Sequence, residues 1–566
     1  MNQAEKMIAQ SATIERNPLK FNKVYIDAYP KVNSQYPLAR EAMFRLLDEG
    51  TVWWTYIGHA NNHSLTHDGQ LTYHDMNNLY LKNPPVFYAA TCDFLRWDSN
   101  TMSGGEILFF ERYGGTIAVI SATRPVYIYE NGLLSNAVGR HIGARDSKGR
   151  ILSIGEIYRR AKNNILTDAG RHDSNTNRLK YVLMGDPAMR PAIPDLTIEL
   201  QSIGDRPLTS VDDPDHEPIV LGARANTVAR GVILSTDGQI DESFDGIVTL
   251  SLYDAEYSTT TNGNNSGDSE GTPVTFEQQG PRLVAASAPV KNGQFEVAIS
   301  IPTDISDNFR QAAISMYAYS TVTNDEAAGI TRDLYVYGLD ETSPADSIAP
   351  AVESIYLNHS TFVSGGVVNS SPMLIAEVSD NIALNLSTSG IGHAMTIKID
   401  GQNTLADVSS FYTPSPDGRP AGSIHYPLEG LTPGAHSLTL RVWDTAANSA
   451  SATIDFVVDA NAAPKIYDIT TDANPAVDRA NFFILHDRPD QMATVTISVY
   501  NLLGRPIWSK TVTGVSDMFT STPVTWDLTD TGGRRVPRGI YLYRATITCE
   551  NETFDTGSRR IAVANP

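Results

Sequence analysis

The chain reads as multidomain, an α/β segment followed by three β-sandwiches. Its 566 residues are too many for a single hydrophobic core. Residues 1–194 alternate buried-strand runs with helical periodicity, the pattern of a sheet covered by helices. From residue 195 onward the texture changes to short alternating strands punctuated by Gly, Asn, Asp and Pro, with almost no helical period.

Within the first segment, residues 38–48 place Ala42, Met43, Leu46 and Leu47 on one helical face, and Gly50 suits the stop. WWTYIGHA (residues 53–60) opens with a strand. Residues 71–81 predict a short amphipathic helix, which Pro84 and Pro85 break ahead of the strand in VFYAATCD (residues 86–93). A helix over residues 104–113 is closed by Gly114 and Gly115, and TIAVIS (residues 116–121) predicts a third buried strand. Helices follow over residues 133–142 and 154–163, and this alternation implies a parallel sheet. In the β region, PADSIAP (residues 344–350) and DANAAP (residues 459–464) have the composition of linkers. The expected division is 1–194, 195–347, 348–461 and 462–566, the last three as immunoglobulin-like sandwiches. The polar loop TTTNGNNSGDSEG (residues 259–271) is expected to be mobile.

Composition narrows the function classes. A hydrophobic content of 41% and a charged content of 19% describe a globular protein, and a formal charge of −21 argues against a nucleic-acid partner. The two cysteines, Cys92 and Cys549, cannot form a disulfide framework or a metal site built on Cys pairs. No run approaches the ~18–20 apolar residues of a membrane span. The amino-terminal MNQAEKMIAQSATIERN lacks the apolar core of a signal peptide. No cofactor and no resident metal are expected.

The chemistry lies at two strand ends. WWTYIGHA runs into His59 and VFYAATCD into Cys92. In parallel sheets, functional groups sit just past the carboxyl ends of strands. Two neighbouring strands ending this way present an imidazole and a thiol to one substrate, the layout of a cysteine-nucleophile hydrolase or transferase. The thiolate attacks, and the imidazole serves as general acid or base. The backbone N–H groups of Ala60 and Cys92 are the expected oxyanion donors. Cys549, inside YRATITCENE, reads as an ordinary strand residue. His59, His63 and His67 stand at i, i+4 and i+8, with His74 beyond, but HANNHSLTH is a poor helix former and lacks the glutamate of HExxH. The acidic turn VDDPDHE (residues 211–217) lacks the spacing of a calcium loop.

YIGHA, PPVFYAATCDFLRWD, GGEILFFERYGGTIAVISATRPVY and MGDPAMR together resemble the gingipain-type (C25) cysteine peptidases. That resemblance implies a caspase-like catalytic domain with Cys92 as nucleophile and His59 as its partner. IYLNHSTFVSGGVVN, VSDNIALNLSTSGIGHAMTIKIDG, NLLGRPIW and TWDLTDTGGRRVPRGIYLYRATIT resemble the sortase branch of the family, which serves type IX secretion. This implies a cysteine endopeptidase and transpeptidase at the cell surface, attached to the outer membrane. It would remove carboxyl-terminal sorting domains from cargo proteins and transfer the cargo to anionic lipopolysaccharide. The carboxyl-terminal sandwich would dock on an outer-membrane β-barrel.

Two features depart from the family pattern. Gingipains carry Gly after the histidine, where this chain has Ala60. A caspase-like sheet also needs strands ahead of the histidine strand, whereas only a helix and the short VYIDAY segment precede Trp53. The expectation is therefore a partial catalytic domain, truncated at its amino end, with a signal peptide in the missing region and an exposed apolar edge beside residues 53–57 or 117–120. The alternatives are a secreted gingipain-like protease that hydrolyses, and a catalytically incomplete surface protein that only binds.

Overall fold

The computed structural model describes residues 1–566 except 67, 113, 168–176, 210–215, 265–271, 391, 403–404, 550–551 and 565–566. The α/β segment runs α1 (Asn2–Ala12), α2 (Pro37–Asp48), β1 (Trp53–Ile57), α3 (Tyr73–Asn77), β2 (Val86–Ala90) and α4 (Gly104–Phe110). It continues with β3 (Ala118–Ala122), α5 (Ile128–Gly139), α6 (Ile154–Thr167), α7 (Asn177–Lys180) and β4 (Tyr181–Met184). The strands lie in spatial order β1-β2-β3-β4. β1, β2 and β3 are parallel, in the registers Trp53↔Val86 and Val86↔Ala118.

Period-two alternation sends side chains of β2 into two separate cores. Val86, Tyr88 and Ala90 pack with Met7 of α1, Leu134 and Val138 of α5, and Ile157 of α6. Phe87 and Ala89 pack with Leu47 of α2, Met76 of α3, and Ile107 and Leu108 of α4. Helices thus cover both faces, which is why β2 and β3 read as unbroken apolar runs and are buried along their whole length.

Several elements differ from the sequence expectation. β4 runs antiparallel to β3, so the sheet is mixed. The 117–120 stretch is not an edge, because β3 is paired on both sides; β1 and β4 are the edges. α1 is a helix that the polar sequence did not announce: Met7 and Ser11 are its buried residues, and Ser11 Oγ donates to Ile142 O at 2.9 Å. VYIDAY contains a 3-10 turn, Ile26–Ala28. α3 has five residues instead of eleven. Asp75 accepts from Thr72 N–H at 2.7 Å and starts it late, and Asn78 Nδ2 donates to His74 O at 2.7 Å and ends it early. α5 begins at Ile128, ahead of the expected residue 133; its first turn exposes Ile128, 72% accessible, and so carries no inward apolar signal in the sequence.

The β region holds three further cores. Around Phe244, Leu250, Val297 and Met316, the strands Leu196–Ile203, Asn226–Leu234, Gly246–Tyr253, Arg282–Lys291, Gln294–Ser300, Ala313–Ser320 and Glu326–Thr331 share one sheet. That sheet closes on itself through the parallel pairing Ala327↔Leu196 and Ala328↔Thr197, so this unit is barrel-like and not two facing sheets. Alternation is the same in both arrangements, and only the long-range closing pair tells them apart. Separate four- and five-stranded sheets enclose the next core, with Leu374, Leu438 and Phe456. Three- and five-stranded sheets enclose the last, with Phe482, Ile497, Trp526 and Ile547.

The α/β segment is stapled to the start of the barrel and to a two-stranded sheet beside it. Ile151 N–H donates to Asp195 Oδ1 at 2.8 Å, and Lys23 Nζ to Glu277 O at 2.8 Å. Part of the loop expected to be mobile is fixed. Thr259 and Thr260 pair with Phe276 and Thr275, while Asn262 N–H donates to Asp27 O at 2.8 Å and Gly263 N–H to Asp27 Oδ2 at 2.7 Å. Residues 265–271 of that loop lie outside the described residues.

Candidate functional site

β1 and β2 end side by side, Ile57 opposite Ala90, with Gly58 N–H still donating to Ala90 O at 3.5 Å. His59 and Cys92 each follow two residues after these paired ends, so the parallel sheet delivers both to the same edge of the fold. His59 is exposed and Cys92 half-buried. The third parallel strand contributes as well. Val126, past the end of β3, donates its N–H toward Cys92 Sγ at 3.4 Å, and its carbonyl lies 3.7 Å from the sulfur. Sequence reading missed Val126; the signal was present in TIAVIS, a third strand of the same kind as the first two.

The loop after β1 is held by its own residues. His59 O accepts from Tyr56 Oη at 2.6 Å and from Thr66 N–H at 2.9 Å. A Cβ at Gly58 would stand 2.6 Å from Tyr56 Oη, so only glycine there leaves the tyrosine room to reach His59 O. Burial pushes the Tyr56 phenol well above its ordinary range, which keeps it a hydrogen donor. Ala60 faces Leu65 across an isolated bridge, and its φ lies outside the left-handed region. The side chain at residue 60 is therefore accommodated where the resembling family has glycine. Among the described residues, no hydrogen bond consumes the N–H of Ala60 or of Cys92. Both donors proposed for the oxyanion hole remain available to a ligand.

The two loops are tied to each other. Gly104 N–H at the start of α4 donates to Asn62 O at 2.7 Å, and His63 Nε2 is 3.0 Å from Thr101 Oγ1. Gly105 N–H donates to Phe94 O at 2.9 Å, and a Cβ at Gly105 would sit 3.0 Å from that oxygen and 2.5 Å from Leu95 Cδ1. Close helix–loop approach thus fixes the segment that carries Cys92. The HANNHSLTH segment forms turns and bridges, not a helix, so its histidines do not stack on one helical face. His67 lies outside the described residues.

Among the described residues, one group has ligand atoms close enough for a cation. Asp346, Asp380 and Asp444 bring carboxylate oxygens within 4.8 Å of one another, far along the chain from Cys92. Most of the VDDPDHE turn, residues 211–215, falls outside the described residues. No helix among the described residues is long and apolar enough to cross a membrane.

Residues 2–192 match the family model described as peptidase family C25. No curated protein matches the chain. Among solved structures, dimeric latent PorU from Porphyromonas gingivalis is 28% identical at a TM-score of 0.31, covering 80% of this chain and 41% of that one. The complex of the Porphyromonas gingivalis RgpB pro- and mature domains is 12% identical at a TM-score of 0.25, covering 52% of this chain and 57% of that one. The Arg-specific cysteine proteinase gingipain R is 12% identical at a TM-score of 0.25, covering 52% of this chain and 56% of that one. The chain thus spans well under two thirds of the length of these relatives.

Proposed function

We propose that this chain, related through residues 2–192 to the C25 family of cysteine peptidases, acts as a peptidase and transpeptidase of the PorU type, with Cys92 as nucleophile and His59 as general acid and base. One observation carries the reading. The Cys92 thiol and the His59 imidazole follow two register-paired parallel strands at equal distance, and the Val126 N–H, past the end of the third strand, is aimed at the sulfur.

The steps follow from these groups. Cys92 Sγ attacks the scissile carbonyl carbon, and the developing oxyanion is met by the N–H groups of Ala60 and Cys92. His59 delivers a proton to the leaving amine, and the C–N bond breaks to leave a thioester on Cys92. An incoming amine or water then attacks that thioester. On this reading the first product is a sorting domain cut from secreted cargo, and the acceptor is anionic lipopolysaccharide at the cell surface. The sandwich at residues 462–566 serves as the dock on an outer-membrane β-barrel. Its strand Met492–Tyr500 buries Val495, Ile497 and Val499 and turns Thr494, Thr496 and Ser498 outward, which supports a presented polar face.

The test is to incubate the chain with a protein carrying a carboxyl-terminal sorting domain, with and without an added amine, and to follow the products by mass spectrometry. Cleavage that needs Cys92 and His59, with amide product when amine is present, is expected. Cleavage that survives Cys92→Ala overturns the assignment, and hydrolysis with no amide product overturns the transpeptidase part of it.

A further inference from the structure

Asp93 follows the nucleophile and is unusual on two independent counts. Its φ is +54°, in the left-handed region that L residues other than glycine enter at a cost of roughly 1–2 kcal/mol. Its Oδ1 is buried with no hydrogen-bond partner among the described residues. Among the described residues the carboxylate has no ion pair either: Arg96 and Arg124 both pair with Asp98 instead, Arg124 Nη2 to Asp98 Oδ2 at 2.5 Å and Arg96 Nε to Asp98 Oδ1 at 3.5 Å. Among the described residues only the backbone of Asp93 is engaged, its N–H with Arg124 O at 3.5 Å and its carbonyl with Arg96 N–H at 3.2 Å. A buried carboxylate oxygen left unpaired is costly. A residue that bears this cost and backbone strain together, beside a nucleophile, points to a ligand that completes it.

We infer that Asp93 binds the incoming amine that resolves the thioester on Cys92, and so sets the partition between transfer and hydrolysis. This rests on the reading of Cys92 as nucleophile. The complementary chemistry of an unpaired carboxylate is an N–H donor, best a cationic one. An amine held there sits next to the residue that carries the acyl group. Held as an ammonium, it first gives one proton to His59; the freed nitrogen lone pair then forms the bond to the acyl carbon, and the C–S bond breaks with its electron pair returning to Sγ. The second proton lost by the nitrogen passes to the departing Sγ, restoring the thiol. Water has no charge to offer Asp93 and gains less from it, so removal of the carboxylate should favour hydrolysis.

The test uses the full chain, p-nitrophenyl acetate as acyl donor and diglycine as the amine. Nitrophenol release reads acylation, and N-acetyl-diglycine against acetate reads the partition, with the Cys92→Ala background subtracted. For Asp93→Asn, which keeps the shape and a hydrogen-bond acceptor, the expected result is a several-fold lower ratio of amide to acetate, read per nitrophenol released. Asp93→Glu should recover part of the ratio. A ratio unmoved by Asp93→Asn overturns the inference while leaving Cys92 as nucleophile. Acylation and both products falling in parallel also overturn it, as the mark of a structural role. If the Cys92→Ala background equals the unsubstituted chain, the reading of the site itself fails.

Discussion

The edge of the α/β sheet and the outer face of the carboxyl-terminal sandwich treat polar groups in opposite ways. On the sandwich, outward hydroxyls pair across strands: Thr494 with Thr513 at 2.9 Å, Thr496 with Thr511 at 2.8 Å, Ser498 with Ser509 at 3.1 Å. Alternate residues of the same strand fill the core. At the ends of β1 and β2, by contrast, Asn62 Oδ1, Thr91 Oγ1 and Asp93 Oδ1 are buried without partners among the described residues, and Thr66 and Asp93 both carry left-handed φ. Hydroxyls paired across strands satisfy one another without a ligand. On the proposed reading, the unsatisfied oxygens and strained backbone at this strand edge are where a ligand finishes the structure.

Separating the two regions physically is the strongest way to break this comparison. Trp526 is fully buried in the sandwich core, and Trp526→Ala should destabilise that unit by about 3–5 kcal/mol. Calorimetry should show the transition of the sandwich lowered, with alkylation of Cys92 unchanged. A loss of Cys92 reactivity in parallel would mean that the two regions unfold as one.

Acid should also act on the sandwich selectively. Burial, reinforced by the Arg488 charge, lowers the His486 imidazole to about 4, and its Nδ1 accepts from Arg488 N–H at 3.1 Å as a neutral ring must. The folded value lies below the ordinary 6.5, so the unfolded chain takes up the proton first. Stability is lost as pH falls from about 6.5 toward 4, by up to about 1.4 kcal/mol per pH unit. Melting of the sandwich followed over that window should show the slope, and His486→Gln should flatten it. An unchanged slope in His486→Gln would assign the acid sensitivity elsewhere.

A smaller effect is expected at the site. Gly105→Ala forces a methyl against Phe94 O and Leu95 Cδ1 and should cost about 1–3 kcal/mol in the α/β segment. It should disturb Cys92 processing more than the sandwich. Equal activity would mean that the Phe94–Gly105 approach does not position the nucleophile.

Much of the α/β segment was legible because its signals are local. The runs VFYAA and AVISA are buried on both faces and announce themselves as strands, and His59 and Cys92 stand where those runs stop. Elements decided by distant partners were not legible. α1 is polar in sequence and is held by α5 and by the carbonyl of Ile142. β4 gives no hint of its direction, and the closure of the barrel rests on two residue pairs more than a hundred positions apart. Within the site, Val126 and Asp93 escaped notice because their roles come from where the chain turns, not from residue type.

The most direct measurement is the alkylation rate of the two thiols by iodoacetamide, in the unsubstituted chain and in His59→Ala. Cys549 is buried at 1% exposure inside the sandwich, whereas Cys92 is half-buried at the sheet edge. The account predicts that Cys92 reacts many times faster than Cys549, and that His59→Ala slows Cys92 while leaving Cys549 untouched. A Cys92 whose rate is indifferent to His59 would contradict the pairing on which the proposed chemistry depends.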